Sequence, residues 1–257
     1  LLPLIGAYGL SMVKISGRGL GFTGGTIDKF ESIPGFKTFL TEEEILKQVR
    51  KIGIAIISST EDLVPADRKM YALRDATGTV DSLPLIASSI MSKKIASGAD
   101  IILLDIKIGS GALIKEYNNA LKLARIMVEI GEELGKKTVA YITDMNQPLG
   151  RAIGNSLEVR EAILTLQEYK STRLLEESLE FASEMIFLAK EKEGSREKIK
   201  NRLIEIIKSG VALKKLKELI EEQGGNIEVI SNPDKLLMAP FVLEVSSDKE
   251  GFIQEMD

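Results

Sequence analysis

Residues 14–26 read Lys-Ile-Ser-Gly-Arg-Gly-Leu-Gly-Phe-Thr-Gly-Gly-Thr, gathering five glycines, three hydroxyls and one Arg into a single short turn. Glycines let the backbone approach a ligand with no Cβ in the way. The stretch that follows, residues 26–33, has the make-up of a helix opening, so free N–H groups and the positive end of the helix dipole would face the same spot. That chemistry suits an anion. A Walker loop is excluded, because Gly25 meets Thr26 with no Lys between them. Residues 19–24 satisfy GxGxxG, but a dinucleotide fold also wants a second strand ending in an acidic residue about 20 residues on. The only candidate strand, 36–40, is broken upstream by Pro34-Gly35 and followed at once by a helix start at Thr41. Besides the anion reading, a purely structural Gly-rich turn is the plain alternative.

A second constellation lies on two predicted helices. Ser89 and Lys93 are spaced i, i+4 and project from one helix face, and Arg74-Asp75 closes the preceding helix. Alone, such a Ser/Lys pair is an ordinary surface. Val80, Ile86 and Ile90 give it apolar company that could wall a flat ring while Arg74, Ser89 and Lys93 hydrogen-bond its polar edge. Two further turns follow strongly apolar runs: Asp105-Ile106-Lys107-Ile108-Gly109-Ser110-Gly111-Ala112 and Thr143-Asp144-Met145-Asn146-Gln147-Pro148. Ligands of open α/β sheets gather at such strand ends. The chain has neither His nor Cys, so thiolate chemistry is excluded and any catalysis must rest on Arg, Lys, Ser, Thr and carboxylates.

Several elements must position these residues. Short strands are expected at 12–16, 53–58, 99–108 and 137–143; the second is a continuous apolar run suited to a buried parallel strand. Helices are expected at 41–52, where Thr41 and Glu44 make a capping box, and at 65–76, 82–96 and 112–134. Beyond Asn155, charged amphipathic helices are expected at 157–168, 171–190, 196–208 and 212–223, then β structure at 241–245 and 251–255. The alternation implies an α/β fold with a mainly parallel sheet flanked by helices and a small helical lobe inserted. In this reading 1–64 and 99–257 form the α/β domain and 65–98 belong to the lobe.

A net charge of −4 argues against a general nucleic-acid binder. No apolar run reaches the roughly 18 residues of a membrane span, and 1–10 is too short and too uncharged at its front for a signal peptide, so a cytoplasmic setting is expected.

The run Ser-Gly-Arg-Gly-Leu-Gly-x-Thr-Gly-Gly-Thr-x-Asp-Lys-x-Glu-Ser-Ile-Pro-Gly-Phe at 16–36 closely resembles the thymidine and pyrimidine-nucleoside phosphorylase family. The likeness continues through Pro65-Ala66-Asp67, Tyr71-Ala72-Leu73-Arg74-Asp75, Thr79-Val80-Asp81-Ser82, Ser89-Ile90-Met91-Ser92-Lys93-Lys94, the two strand-end turns and Gly154-Asn155-x-x-Glu158-Val159-Arg160-Glu161. It implies reversible phosphorolysis, in which a pyrimidine nucleoside and phosphate give free base and pentose 1-phosphate. By this resemblance Arg74 and Lys93 are catalytic and, with Ser89, hold the pyrimidine's polar edge; Ile86, Val80 and Leu20 complete the substrate site; Ser16 and Thr26 hold phosphate. Base and phosphate would face each other across a closing cleft. The resemblance further implies a structural monovalent cation, potassium, on the carbonyls of Leu149 and Ala152 and the carboxylate of Glu161, no cofactor for the chemistry, and a homodimer.

Two residues depart from the family pattern: Phe22 stands where His is usual, and Leu113 where an aromatic is common. The family also carries an upstream segment with a second phosphate loop of Lys, His and Ser, and continues beyond the position of Asp257. The chain therefore reads as the middle of a phosphorylase, inactive by itself, with Leu1, Leu4, Ile5 and Leu10 left uncovered. The alternatives are a phosphoribosyltransferase-like enzyme, which would need a Mg-pyrophosphate site, a non-catalytic truncated relic, and a nicotinamide-dependent oxidoreductase.

Overall fold

A computed structural model describes residues 1–19, 24–58, 63–79, 81–191 and 194–253, apart from the side chains of Arg68, Tyr71 and Asp75. The chain divides into two compact units, Leu1–Ser59 with Gly150–Lys249, and Thr60–Leu149 with Glu250–Asp257. Residues 65–98 thus group with the strands at 101–144, whereas the sequence reading keeps 99–257 with 1–64.

In the first unit, β1 (Met12–Ser16) and β2 (Ile54–Ser58) pair in parallel, in register from Met12–Ile54 to Ser16–Ser58. The β2 run Ile-Ala-Ile-Ile is buried on both faces, as its unbroken apolar character requires. On its far edge a side chain stands in for a strand: the fully buried Gln223 donates to the Ile56 carbonyl at 2.8 Å and accepts from the Ile56 N–H at 3.1 Å. Helices α1 (Leu2–Tyr8), α2 (Thr26–Glu31), α3 (Glu42–Ile52), α7 (Asn155–Gln167), α8 (Arg173–Ala189), α9 (Arg196–Lys208), α10 (Val211–Glu222) and α11 (Glu228–Ser231) complete this unit. The expected capping box forms at α3, where the Glu44 N–H donates to Thr41 Oγ1 at 3.3 Å and the Thr41 N–H donates to the Glu44 carboxylate at 2.7 Å.

Two expectations fail here. Residues 1–10 hold a core helix: Leu4 and Ile5 of α1 are buried, Leu1 and Leu10 pack against the same core, and α1 lies against α10 and α9. Seven residues with Pro3 in the first turn and Gly9 in the left-handed conformation at the end are enough, because packing stabilises a helix that propensity alone would not. The strand expected at 241–245 is absent, as is the described part, 251–253, of the one expected at 251–255; residues 254 and 255 lie outside the described ones. Phe241, Val242 and Leu243 are exposed, and apolar β-formers make no strand without a neighbour to pair their backbone.

In the second unit, β3 (Ile101–Ile108) and β4 (Lys137–Asp144) form a second parallel pair, in register from Ile101–Lys137 to Ile108–Asp144. Ile102, Leu104 and Ile106 pack with Ala87 and Met91 of α5 (Leu83–Ala96) and with Leu123 and Met127 of α6 (Tyr117–Glu133). Helix α4 (Pro65–Thr77) lies against α5. Helix α6 starts at Tyr117 rather than at Ala112, because the preceding residues form a turn tied to the end of β4. There Gly109 has φ of 123°, the Gly111 N–H donates to the Met145 carbonyl at 3.0 Å and the Ser110 N–H donates to Asn146 Oδ1 at 3.0 Å.

Candidate active site

Of the residues assigned to the base, Ser89 and Lys93 meet on α5, while Arg74 of α4 is bonded to the start of α5. Arg74 is buried, and its guanidinium donates from Nε to the Thr79 carbonyl at 3.4 Å and from Nη1 to the Leu85 carbonyl at 3.2 Å. These bonds hold the side chain against Thr79, beyond the end of α4, and against the first turn of α5. Ser89 is buried too, and the Lys93 ammonium donates to its carbonyl and to its Oγ, each at 3.0 Å. The third acceptor of Lys93 is the carboxylate of Asp67 on α4. Ser89 Oγ uses a lone pair on Lys93, so its own hydrogen remains for donation. Ile86 is half-buried on α5 beside the core. On adjacent, packed helices these residues supply two cationic groups and a hydroxyl, donor types suited to carbonyl oxygens that gain negative charge. Val80 and Leu20, assigned to the same site, lie outside the described residues, as does Phe22.

The glycine loop occupies the other unit. Ser16 ends β1 and Thr26 opens α2. A Cβ built on Gly25 would lie 2.5 Å from the Gly17 carbonyl oxygen and 2.4 Å from the Arg18 carbonyl carbon. The chain therefore crosses itself there, with Ser16 and Thr26 each one residue from the crossing, and only glycine fits. Asp28 holds the crossing: one carboxylate oxygen accepts the Gly19 N–H at 2.7 Å and the Gly25 N–H at 2.9 Å. Its other oxygen accepts Arg18 at 3.0 Å, and Arg18 reaches Glu31 through both terminal nitrogens at 2.6 and 2.7 Å. The two glycine N–H groups, with Arg18 behind them, hold the Asp28 carboxyl below the usual carboxylate range; Arg18, with Thr38 adding a hydrogen bond, does the same for Glu31. The Gly25 N–H, an expected anion donor, is thus aimed at Asp28 instead. Lys29 pairs with Glu158 at 2.5 Å, and Asn155 lies against Gly24, which ties the loop to the start of α7.

The Glu161 carboxylate accepts the Arg151 N–H at 2.9 Å and the Ala152 N–H at 3.1 Å. A Cβ on Gly150 would lie 2.2 Å from its Oε2, so residues 150–152 close tightly over it. Leu149 belongs to the other unit. Leu113 is almost fully exposed.

The sequence reading missed Asp67 and Asp28 as parts of these sites. Each had a signal: Asp67 precedes Arg74 by seven residues and shares its helix face, and Asp28 is the third residue of a helix whose N-cap is glycine.

The sequence signature of the glycosyl transferase family, a/b domain, matches residues 1–213. The chain belongs to this family. It is 49% identical over 254 residues to the pyrimidine-nucleoside phosphorylase of Geobacillus stearothermophilus, covering 99% of this chain and 58% of that protein. To the pyrimidine-nucleoside phosphorylase of Bacillus subtilis it is 48% identical over 256 residues, covering 100% of this chain and 59% of the relative. The corresponding Staphylococcus epidermidis protein is 49% identical over 256 residues, with the same coverage. The chain thus spans somewhat under two thirds of the length of these relatives, and the family match takes in every site residue discussed above.

Proposed function

We propose that the protein to which this chain belongs catalyses reversible phosphorolysis of pyrimidine nucleosides. What supports the reading is that α4, carrying Arg74, packs on α5, where Lys93 is bonded to Ser89, in a family member about half identical to proteins named for that activity. In the reaction the glycosidic C–N bond breaks with its electron pair passing to the base, while a phosphate oxygen bonds to the sugar carbon. The proton of hydrogenphosphate ends on the base nitrogen. Arg74 and Lys93 meet the negative charge that grows on the base, and Ser89 donates to its polar edge. Because Arg74 is buried and already fixed by backbone carbonyls, little reorganisation is needed as the charge develops.

Phosphate is assigned to Ser16 and Thr26, which the self-crossing of the glycine loop supports by bringing their neighbours Gly17 and Gly25 together. A potassium ion on the Leu149 and Ala152 carbonyls and Glu161 follows the family resemblance, and what supports it is the closeness of Ala152 to Glu161 within the first unit. A carboxylate already oriented by two N–H groups, together with backbone carbonyls, supplies the hard oxygen ligands such an ion takes, and its role would be structural. A cytoplasmic homodimer is the expected setting. No helix among the described residues is long and apolar enough to cross a membrane.

The test is phosphate-dependent release of uracil or thymine from uridine or thymidine by the protein at its natural length. Base release that ignores phosphate, or turnover of a pentose pyrophosphate instead, would overturn the reading.

A further inference from the structure

We propose that Asp67 is the positioning residue for Lys93, holding its ammonium where the leaving base needs it; this rests on reading α4 and α5 as the base site. Asp67 and Arg74 are seven residues apart on α4 and so share one helix face, while Ser89 and Lys93 share a face of α5 by their i, i+4 spacing. The Asp67 side chain is only 12% exposed, and a carboxylate so withdrawn from water needs a charged or hydrogen-bonding partner, which Lys93 supplies. Lys93 is 38% exposed on a long flexible stem and, without an anchor on the neighbouring helix, would sample many rotamers. With Asp67 and both oxygens of Ser89 in place, all three of its protons point to acceptors within one small volume. An incoming carbonyl oxygen then needs to replace only one acceptor, with the ammonium already in position.

The negative charge of Asp67 offsets part of the attraction between Lys93 and an anionic base, so its contribution is geometry rather than charge. That distinction gives the test. In the protein at its natural length, Asp67→Ala should lower kcat/KM for uridine about tenfold or more, with KM for phosphate within about twofold of the parent. Asp67→Asn keeps an oxygen that accepts from Lys93 and should recover most of the loss. In a Lys93→Ala background, Asp67→Ala should add little further loss, because a residue acting through another is non-additive with it. The same cycle read by equilibrium binding of uracil gives the outcome independently of turnover. If the parent binds uracil with this non-additivity but does not phosphorolyse nucleosides, the functional reading fails and the positioning role stands. Parental kinetics in Asp67→Ala, an Asn variant no better than the Ala variant, additive losses in the double variant, or KM for phosphate rising in step with that for uridine would each overturn it. So would a parent that binds no pyrimidine. An Ala variant that does not fold leaves the Asn variant and its double with Lys93→Ala to decide, since the Asn variant conserves shape and one acceptor.

Discussion

Replacing Gln223 with Leu should destabilise the first unit far more than a change at the end of a surface helix would. The Gln223 side chain is fully buried and makes four hydrogen bonds: it donates to the Lys37 carbonyl at 2.6 Å and the Ile56 carbonyl at 2.8 Å, and accepts from the Ile56 N–H at 3.1 Å and Gln48 Nε2 at 3.2 Å. Leu fills similar space but strands three backbone groups, the N–H and carbonyl of Ile56 on the edge of β2 and the carbonyl of Lys37. Each buried polar group left without a partner costs about 1–3 kcal/mol, so the loss should be about 3–6 kcal/mol after partial relaxation. Gln48 retains its bond to the Ile54 carbonyl at 2.9 Å and limits the damage at that end. Urea denaturation of parent and variant measures the difference directly. A Q223L protein within about 1 kcal/mol of the parent would refute the idea that this amide substitutes for a strand, since that margin is typical of an ordinary surface change. Because β2 holds β1 in register up to Ser16–Ser58, the variant should also weaken the phosphate binding proposed for Ser16 well below the temperature at which the unit unfolds.

The remaining expectations concern the two sites. Lys93→Ala should remove about 3 kcal/mol of transition-state stabilisation, read as kcat/KM for uridine; an unchanged value would remove Lys93 from the base site. Gly25→Ala should abolish the phosphate-induced rise in melting temperature, because its Cβ would sit 2.4–2.5 Å from the backbone of residues 17–19; a fully retained rise would show that the crossing is not needed. The glycine loop should also be acid-sensitive. Asp28 and Glu31 are depressed by their partners, so the stability they add is present above the ordinary carboxylate pKa of about 4 and is lost as pH falls through the depressed values. Phosphate protection measured between neutral pH and about pH 3 should fade at the acid end in the parent, and earlier in Arg18→Met. Identical profiles for the two would deny Arg18 its part in the network.

The parts of this fold that could be read from residue order are those whose reasons are local. The apolar runs of β2, β3 and β4, the Thr41–Glu44 capping box and the shared face of Ser89 and Lys93 each follow from a few neighbouring residues, and each is found. The misreadings concern residues whose structure depends on distant partners. Helix α1 is too short to declare itself by periodicity and exists because α9 and α10 cover it. At residues 241–245 the local pattern favours a strand, but no strand among the described residues pairs with them. Nothing near Gln223 in sequence hints that its amide will complete a sheet edge 167 residues away.

The candidate sites divide along the same line. Arg74, Ser89 and Lys93 are chemistry-bearing types, the last two in helical spacing, and could be picked out directly, whereas Asp67 makes sense only once α4 lies against α5. In the glycine loop the dense glycines invited an anion, and part of that invitation is answered from within: Asp28 takes the Gly19 and Gly25 N–H groups. A carboxylate three residues into a helix and a ligand phosphate satisfy the same kind of donor, so composition cannot tell an anion site from a self-capped turn. What separates them is how many donors remain once the fold has used its own. For this loop the hydroxyls of Ser16 and Thr26, rather than the whole run of glycine amides, should therefore govern phosphate affinity, and Thr26→Ala should raise KM for phosphate more than it raises KM for the nucleoside. An equal rise in both would mean that the loop serves the architecture and not the anion.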